Sequence, residues 1–134
     1  MRFMLDTDAC VYIIKRRPPQ VLRRFRRQAV GEVGISSITL AELAFGVANS
    51  QQTNRNAAAL EEFPQPLDVA PFDDAAAKTY GEVRADLERK GTPIGALDTL
   101  IAAHAMNLGV RLVTHNTREF SRVLGLRLAD WTSG

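Results

Sequence analysis

Short apolar runs alternating with longer amphipathic ones constrain this chain more than any other feature of its sequence. RFML (2–5), VGIS (33–36), LDVA (67–70) and VRLVT (110–114) are strand-length and apolar, and a last strand is expected near Leu126–Ala129. Helical patterns fill the gaps. One runs from Thr7 to Lys15, and a second, opened by Pro18 and Pro19, covers about 19–30. SITLAELAFGVANS reads as a third, with Ser37 or Thr39 to cap it. Further helices are predicted over Thr53–Phe63, over Asp73–Lys90 and over Leu97–Leu108, which Gly109 stops, with a short turn around Glu119. Strands separated by helices predict an α/β fold, a central, mostly parallel sheet of four to five strands covered on both faces. Such sheets carry their sites at the carboxyl ends of the strands.

The 134 residues suit a single domain, 1–134, large enough to bury a core without staples. Apolar residues make up 46% and charged residues 24%, which excludes a disordered chain. Stretches such as ALDTLIAAHAM are too short and too polar to span a bilayer, so no membrane association is expected. MRFMLDTD lacks the apolar core of a secretory signal, and a single cysteine, Cys10, excludes an intrachain disulfide. A cytoplasmic location is therefore expected.

Net charge is only +2, but seven of the 17 Lys and Arg residues crowd into KRRPPQVLRRFRRQ: Lys15, Arg16, Arg17, Arg23, Arg24, Arg26 and Arg27. Such a cluster neutralises phosphates and steers a polyanion. It is equally the solvated face of a helix whose Val21, Leu22 and Phe25 pack inward, and the two readings are compatible.

Three acids stand in apolar surroundings. Asp6 directly follows RFML, Glu42 interrupts ITLAELAFGV, and Asp98 sits inside PIGALDTLIAAHAM. An unpaired carboxylate is costly to bury, and no Lys or Arg lies within four positions of Glu42 or Asp98. Taken singly, Asp6 could cap a helix, Glu42 could pair with a distant arginine, and Asp98 could be a first-turn acid. Taken together, they fall at strand ends or helix starts on one edge of the sheet. Carboxylates gathered there repel one another unless a divalent cation joins them, and oxygen ligands suit Mg²⁺ or Mn²⁺. Zinc would call for His or Cys, and His104, His115 and Cys10 lack ligand spacing. Asp8 reads as a cap or supporting acid, His104 as a core or supporting histidine, and Cys10 as a buried small residue.

MLDTDACVYIIK, ISSITLAELAFGV, GTPIGALDTLIAAHAMNLGVRLVTHNTREF and LGLRLADW together resemble PIN-domain ribonucleases, and more narrowly VapC-type toxins of bacterial toxin–antitoxin pairs. The likeness covers nearly the whole chain, in the family's order and spacing. It implies a PIN-like α/β/α sandwich, a homodimer and a cognate VapB-like antitoxin whose tail occupies and inhibits the site. Operator DNA would be reached only through the antitoxin complex. By position, Asp6, Glu42 and Asp98 match the family's three main acids and would hold the Mg²⁺ or Mn²⁺. The fourth acidic position falls on Asn116, with Glu119 three residues on, and Thr114 matches a hydroxyl beside the metal. Asp8 and His115 stand where relatives often carry Asn.

The activity implied is endoribonuclease cleavage of structured RNA, with tRNA, and specifically the initiator tRNA anticodon loop, as the substrate of relatives with this ending. Metal-assisted attack by water would leave a 5′-phosphate and a 3′-hydroxyl. Two other classes compete with this reading. FMLDTD also resembles the D-x-D start of haloacid-dehalogenase-like phosphatases, which leaves Glu42 and Asp98 unexplained. A non-catalytic binding module is disfavoured by the three intact acids.

Overall fold

The computed structural model describes residues 1–49 and 59–133. Five strands, β1 (Phe3–Leu5), β2 (Val33–Ser36), β3 (Asp68–Ala70), β4 (Arg111–Val113) and β5 (Leu128–Ala129), form one sheet in the order β3-β2-β1-β4-β5. Each of its pairings is parallel, with Leu5 opposite both Ile35 and Val113. The expected α/β/α sandwich is therefore present, with every described strand pair parallel.

The helices are α1 (Thr7–Lys15), α2 (Pro19–Arg26), α3 (Ser37–Ala48), α4 (Asp74–Arg89), α5 (Ala96–Leu108) and the one-turn α6 (Thr117–Phe120). Strand side chains alternate between the two faces, as the pleat requires. Leu5, Ile35 and Val113 join Ala9, Cys10, Ile13, Val21, Phe25 and Trp131 under α1 and α2. Met4 and Leu112 join Val83, Leu87, Ile101, Ala105 and Phe120 under α4 and α5.

Three boundaries differ from the sequence reading. The second helix stops at Arg26 instead of near 30, because Gln65, far away in sequence, donates to the carbonyls of Phe25 and Gln28 at 3.2 and 3.1 Å and closes the helix end. The cap of α3 is Ser36, the last residue of β2, whose hydroxyl accepts from the Ile38 amide at 3.0 Å. Strand and helix thus join without a loop, and the Ser37 hydroxyl instead receives the Phe72 amide. The helix expected over Thr53–Phe63 lies largely outside the described residues, whose part of it is a 3₁₀ turn at Ala59–Glu62.

The chain passes from β1 through α1 and α2 to β2 on one side, then from β3 through α4 and α5 to β4 on the other. β1 is therefore the strand at which the order reverses. A crevice opens beyond its carboxyl end, between the segments that leave β1 and β4.

Candidate active site

Asp6 is the first residue beyond β1 and sits at this switch point. It is 4% exposed and caps α1, accepting the Ala9 amide at 2.8 Å. Its own amide donates to Val113 of β4 at 3.0 Å, so backbone bonds on two sides fix where the carboxylate stands. The Thr114 hydroxyl, just past β4, bonds the carboxylate and in turn accepts the Asn116 amide at 2.9 Å. Asp8 does not act as the cap. It is exposed in the first turn of α1, and its charge bears on both Asp6 and Asp98.

Glu42 comes from the second turn of α3 and is half-buried. Thr7 Oγ1 donates to its Oε1 at 2.5 Å, within the short range of charge-assisted bonds. Thr7 gave no signal in the sequence beyond its position next to Asp6.

Asp98 lies in the first turn of α5. Gly95, the residue before that helix, supplies no side-chain cap, and a Cβ built there would lie 3.4 Å from Asp98 Oδ2. The glycine lets the carboxylate settle against the helix start. Glu119 supplies what Gly95 lacks. Its Oε1 accepts the Gly95 amide at 3.1 Å and its Oε2 accepts Asn116 Nδ2 at 2.6 Å. Both oxygens of Glu119 are thus engaged, and the pair Asn116–Glu119 braces the start of α5.

The acids are close enough to perturb one another. Burial pushes the Asp6 carboxyl up to about 6, and the charges of Asp8 and Asp98 add to this against the opposing bonds from Thr114 and Ala9. Burial, then the charges of Glu119, Glu42 and Asp8, push Asp98 up to about 6 as well. Glu119 moves the other way, because the Gly95 amide and Asn116 stabilise its charged form. Among the described residues no Lys or Arg forms an ion pair with Asp6, Glu42 or Asp98. Asp6 and Asp98, and Asp98 and Glu42, thus stand near enough for their charges to oppose one another, with no cation paired to them among the described residues.

Among the described residues no three His, Cys, Asp or Glu side chains are placed to hold a metal ion by themselves. The chemistry of the donors nonetheless fits a hard divalent cation. Mg²⁺ keeps several waters and binds through one or two carboxylates together with substrate phosphate. A softer ion finds little here. Burial, then the charges of Asp6 and Glu42, hold the Cys10 thiol well above its usual range, so it stays protonated. His104 is buried in α5, with Nδ1 2.7 Å from Ser36 Oγ and its ring edge-on to Phe72. It ties α5 to the end of β2 and is the structural histidine the sequence pointed to. His115 Nδ1 faces Thr132 Oγ1 at 2.9 Å and Asp130 at 3.3 Å, at the opposite margin of the β4 loop.

The basic cluster is real but stands apart. Lys15, Arg16, Arg17, Arg23, Arg26 and Arg27 are exposed, and none forms an ion pair among the described residues. α1 is capped by Asp6 and ends at Lys15, and its nine residues put about 13 Å along the helix axis between Asp6 and the first of these cations.

Acids that repel one another at the switch point of a parallel sheet, one of them buried, accord with a PIN domain, and that family matches residues 3–126. A tRNA(fMet)-specific endonuclease VapC of Shigella flexneri is 47% identical over 98% of this chain and 99% of the relative, and a ribonuclease VapC2 of Haemophilus influenzae is 42% identical over 98% of both. The chain belongs to the VapC ribonucleases of the PIN-domain family. Its fold superposes on VapC-containing complexes with DNA: VapBC of Salmonella typhimurium (TM-score 0.91, 44% identity, 98% of each chain) and VapBC2 of Rickettsia felis with a promoter fragment (0.90, 39%, 98% and 99%). Among the described residues no helix is long and apolar enough to cross a membrane.

Proposed function

We propose that this chain is the toxin of a toxin–antitoxin pair and hydrolyses RNA phosphodiester bonds with Mg²⁺ or Mn²⁺ held by Asp6 and Asp98. The observation that carries the reading is the gathering of Asp6, Glu42 and Asp98 without a basic partner among the described residues. When bound, the ion supplies Lewis-acid polarisation of the scissile phosphate and offsets charge on the leaving oxygen. Asp6 and Asp98 supply the negative charge that retains the ion, directly or through its waters. Glu42, with Oε1 engaged by Thr7, keeps Oε2 to orient the attacking water and accept its proton. Asn116 and Glu119 hold the start of α5 and so keep Asp98 in place. Water attacks phosphorus and the 3′ oxygen leaves, giving a 5′-phosphate and a 3′-hydroxyl.

The substrate proposed is tRNA, with initiator tRNA first, in keeping with the tRNA(fMet) specificity of the Shigella flexneri relative, and its anticodon loop as the candidate site of the cut. The partner proposed is a VapB-like antitoxin that occludes the acids, with operator DNA engaged only by the complex, as the VapBC–DNA structures support. A homodimer and a cytoplasmic location complete the reading. The exposed cations of α1 and α2 would hold RNA backbone beyond the cut.

The test is cleavage of total tRNA by purified protein, with the new ends mapped. Mn²⁺ or Mg²⁺ should support cutting at one loop, EDTA should stop it, and Asp6→Asn or Asp98→Asn should abolish it. Cutting that persists in EDTA, or in both variants, refutes the assignment.

A further inference from the structure

We propose that Phe45 and Leu97 form a stacking site for one unpaired nucleobase, the base adjoining the phosphate that is cut. The inference rests on the ribonuclease reading and adds to it a contact that selects single-stranded substrate. α3 is apolar nearly all round, a pattern that ordinarily belongs to a buried helix, yet Ala41, Ala44, Phe45 and Ala48 are exposed. Phe45 is 68% exposed and Leu97 47%. Their positions are not arbitrary. Phe45 lies three residues beyond Glu42 on α3, hence on the same face, and Leu97 immediately precedes Asp98 on α5. Thr7, Ile38, Ala41, Glu42, Phe45 and Leu97 line one cleft of about 430 Å³.

The cleft has apolar walls and a polar margin, the Thr7–Glu42 pair. A nucleobase matches both, with two flat apolar faces and an edge of donors and acceptors. A purely aliphatic protein surface would instead seal Glu42 away from water with the Thr7 hydroxyl as its one hydrogen-bond partner among the described residues. Covalent connection points the same way. A phosphodiester held through a divalent ion at Asp6 and Asp98 brings its own nucleosides, so a base must lie within about one nucleotide of Glu42. Side chains three apart on a helix are about 5–6 Å apart at Cβ, which puts the Phe45 ring within reach of that base. Aromatic stacking tolerates any base identity but requires that the base be free of a duplex. The site would therefore choose loops over stems without fixing a sequence.

The experiment uses the full chain with Ca²⁺ in place of the catalytic ion and a hairpin RNA carrying 2-aminopurine at one loop position at a time, followed by Mn²⁺ to start cleavage. Wild type and Phe45→Trp should quench one loop position, and the cut should fall at the adjoining phosphate. Phe45→Ala should lose the quench and bind roughly 5- to 100-fold more weakly. Equal quenching, affinity and cleavage in Phe45→Ala overturn the proposal. So does a variant that loses only self-association or antitoxin binding, since the shelf then serves a protein. Wild type that cuts RNA but quenches no loop base overturns the stacking site alone. Wild type that quenches a loop base but cuts nothing overturns the ribonuclease reading while the stacking site stands.

Discussion

The Thr7 hydroxyl donates to Glu42 at 2.5 Å and joins the first residue of α1 to the second turn of α3 across the mouth of the site. Thr7 follows Asp6 directly, so the bond ties the position of one acid to that of another. Thr7→Val keeps the shape and removes the donor. The expected result is a roughly tenfold lower kcat, with stability lower by about 1 kcal/mol, measured by single-turnover cleavage and thermal melting. Full activity in Thr7→Val would mean that Glu42 needs no such restraint.

Removing the acids should abolish activity yet stabilise the metal-free protein. The folded-state value of Asp6 is about 6, above its usual 3.8, so protonation favours the fold. That contribution is full below about 3.8 and is lost as pH rises through about 6, leaving a charged acid that opposes folding at neutral pH. A shift of this size corresponds to roughly 2–3 kcal/mol. Asp6→Asn retains an oxygen for the Ala9 amide, so its melting temperature at pH 7.5 in EDTA should exceed that of wild type by several degrees. The gain should shrink at pH 5. Divalent ions should raise the melting point of wild type but not of the variant.

Asp8 is an exposed charge that raises both Asp6 and Asp98. Asp8→Asn should therefore move the acid limb of the pH profile of kcat/KM to lower pH and leave the plateau little changed. An unmoved limb would show that Asp8 is screened by solvent.

Glu119 touches the Gly95 amide and Asn116 with both of its oxygens, which gives it a positioning role. Glu119→Gln should retain one of these bonds and reduce kcat by about tenfold or less, whereas Asp98→Asn should be inactive. The separating readout is metal affinity by titration calorimetry, which should fall far more in Asp98→Asn. Equal loss in both would make Glu119 a ligand.

Four of the free cations lie on or beside α2. Changing Arg23, Arg24, Arg26 and Arg27 to Gln should flatten the dependence of RNA binding on salt by up to about 3 in the logarithmic slope, taking roughly 0.7 per single-strand phosphate. Cleavage of a short hairpin that ends near the cut should be hardly affected, since these arginines lie on or beside the helix that follows α1 and not on the elements that carry the acids. An unchanged slope would leave these arginines as a solvated helix face.

Much of this protein was written into local sequence. Short apolar runs placed the strands and amphipathic stretches placed most helices, since a covered parallel strand buries both faces and a surface helix buries one. Asp6, Glu42 and Asp98 were conspicuous because a carboxylate inside an apolar run has no local means of offsetting its desolvation. What no local pattern contains is distance. That Gln65 ends α2, that Ser36 receives His104 from α5, that Thr7 restrains Glu42 and that Glu119 caps the helix bearing Asp98 are contacts between residues 24 to 68 positions apart. The last three exist because parallel pairing puts the carboxyl ends of β1, β2 and β4 side by side, and the first because β2 and β3 pair in parallel and bring the segments that precede them together. The same packing decided that Phe45 would be left exposed in one cleft with Glu42.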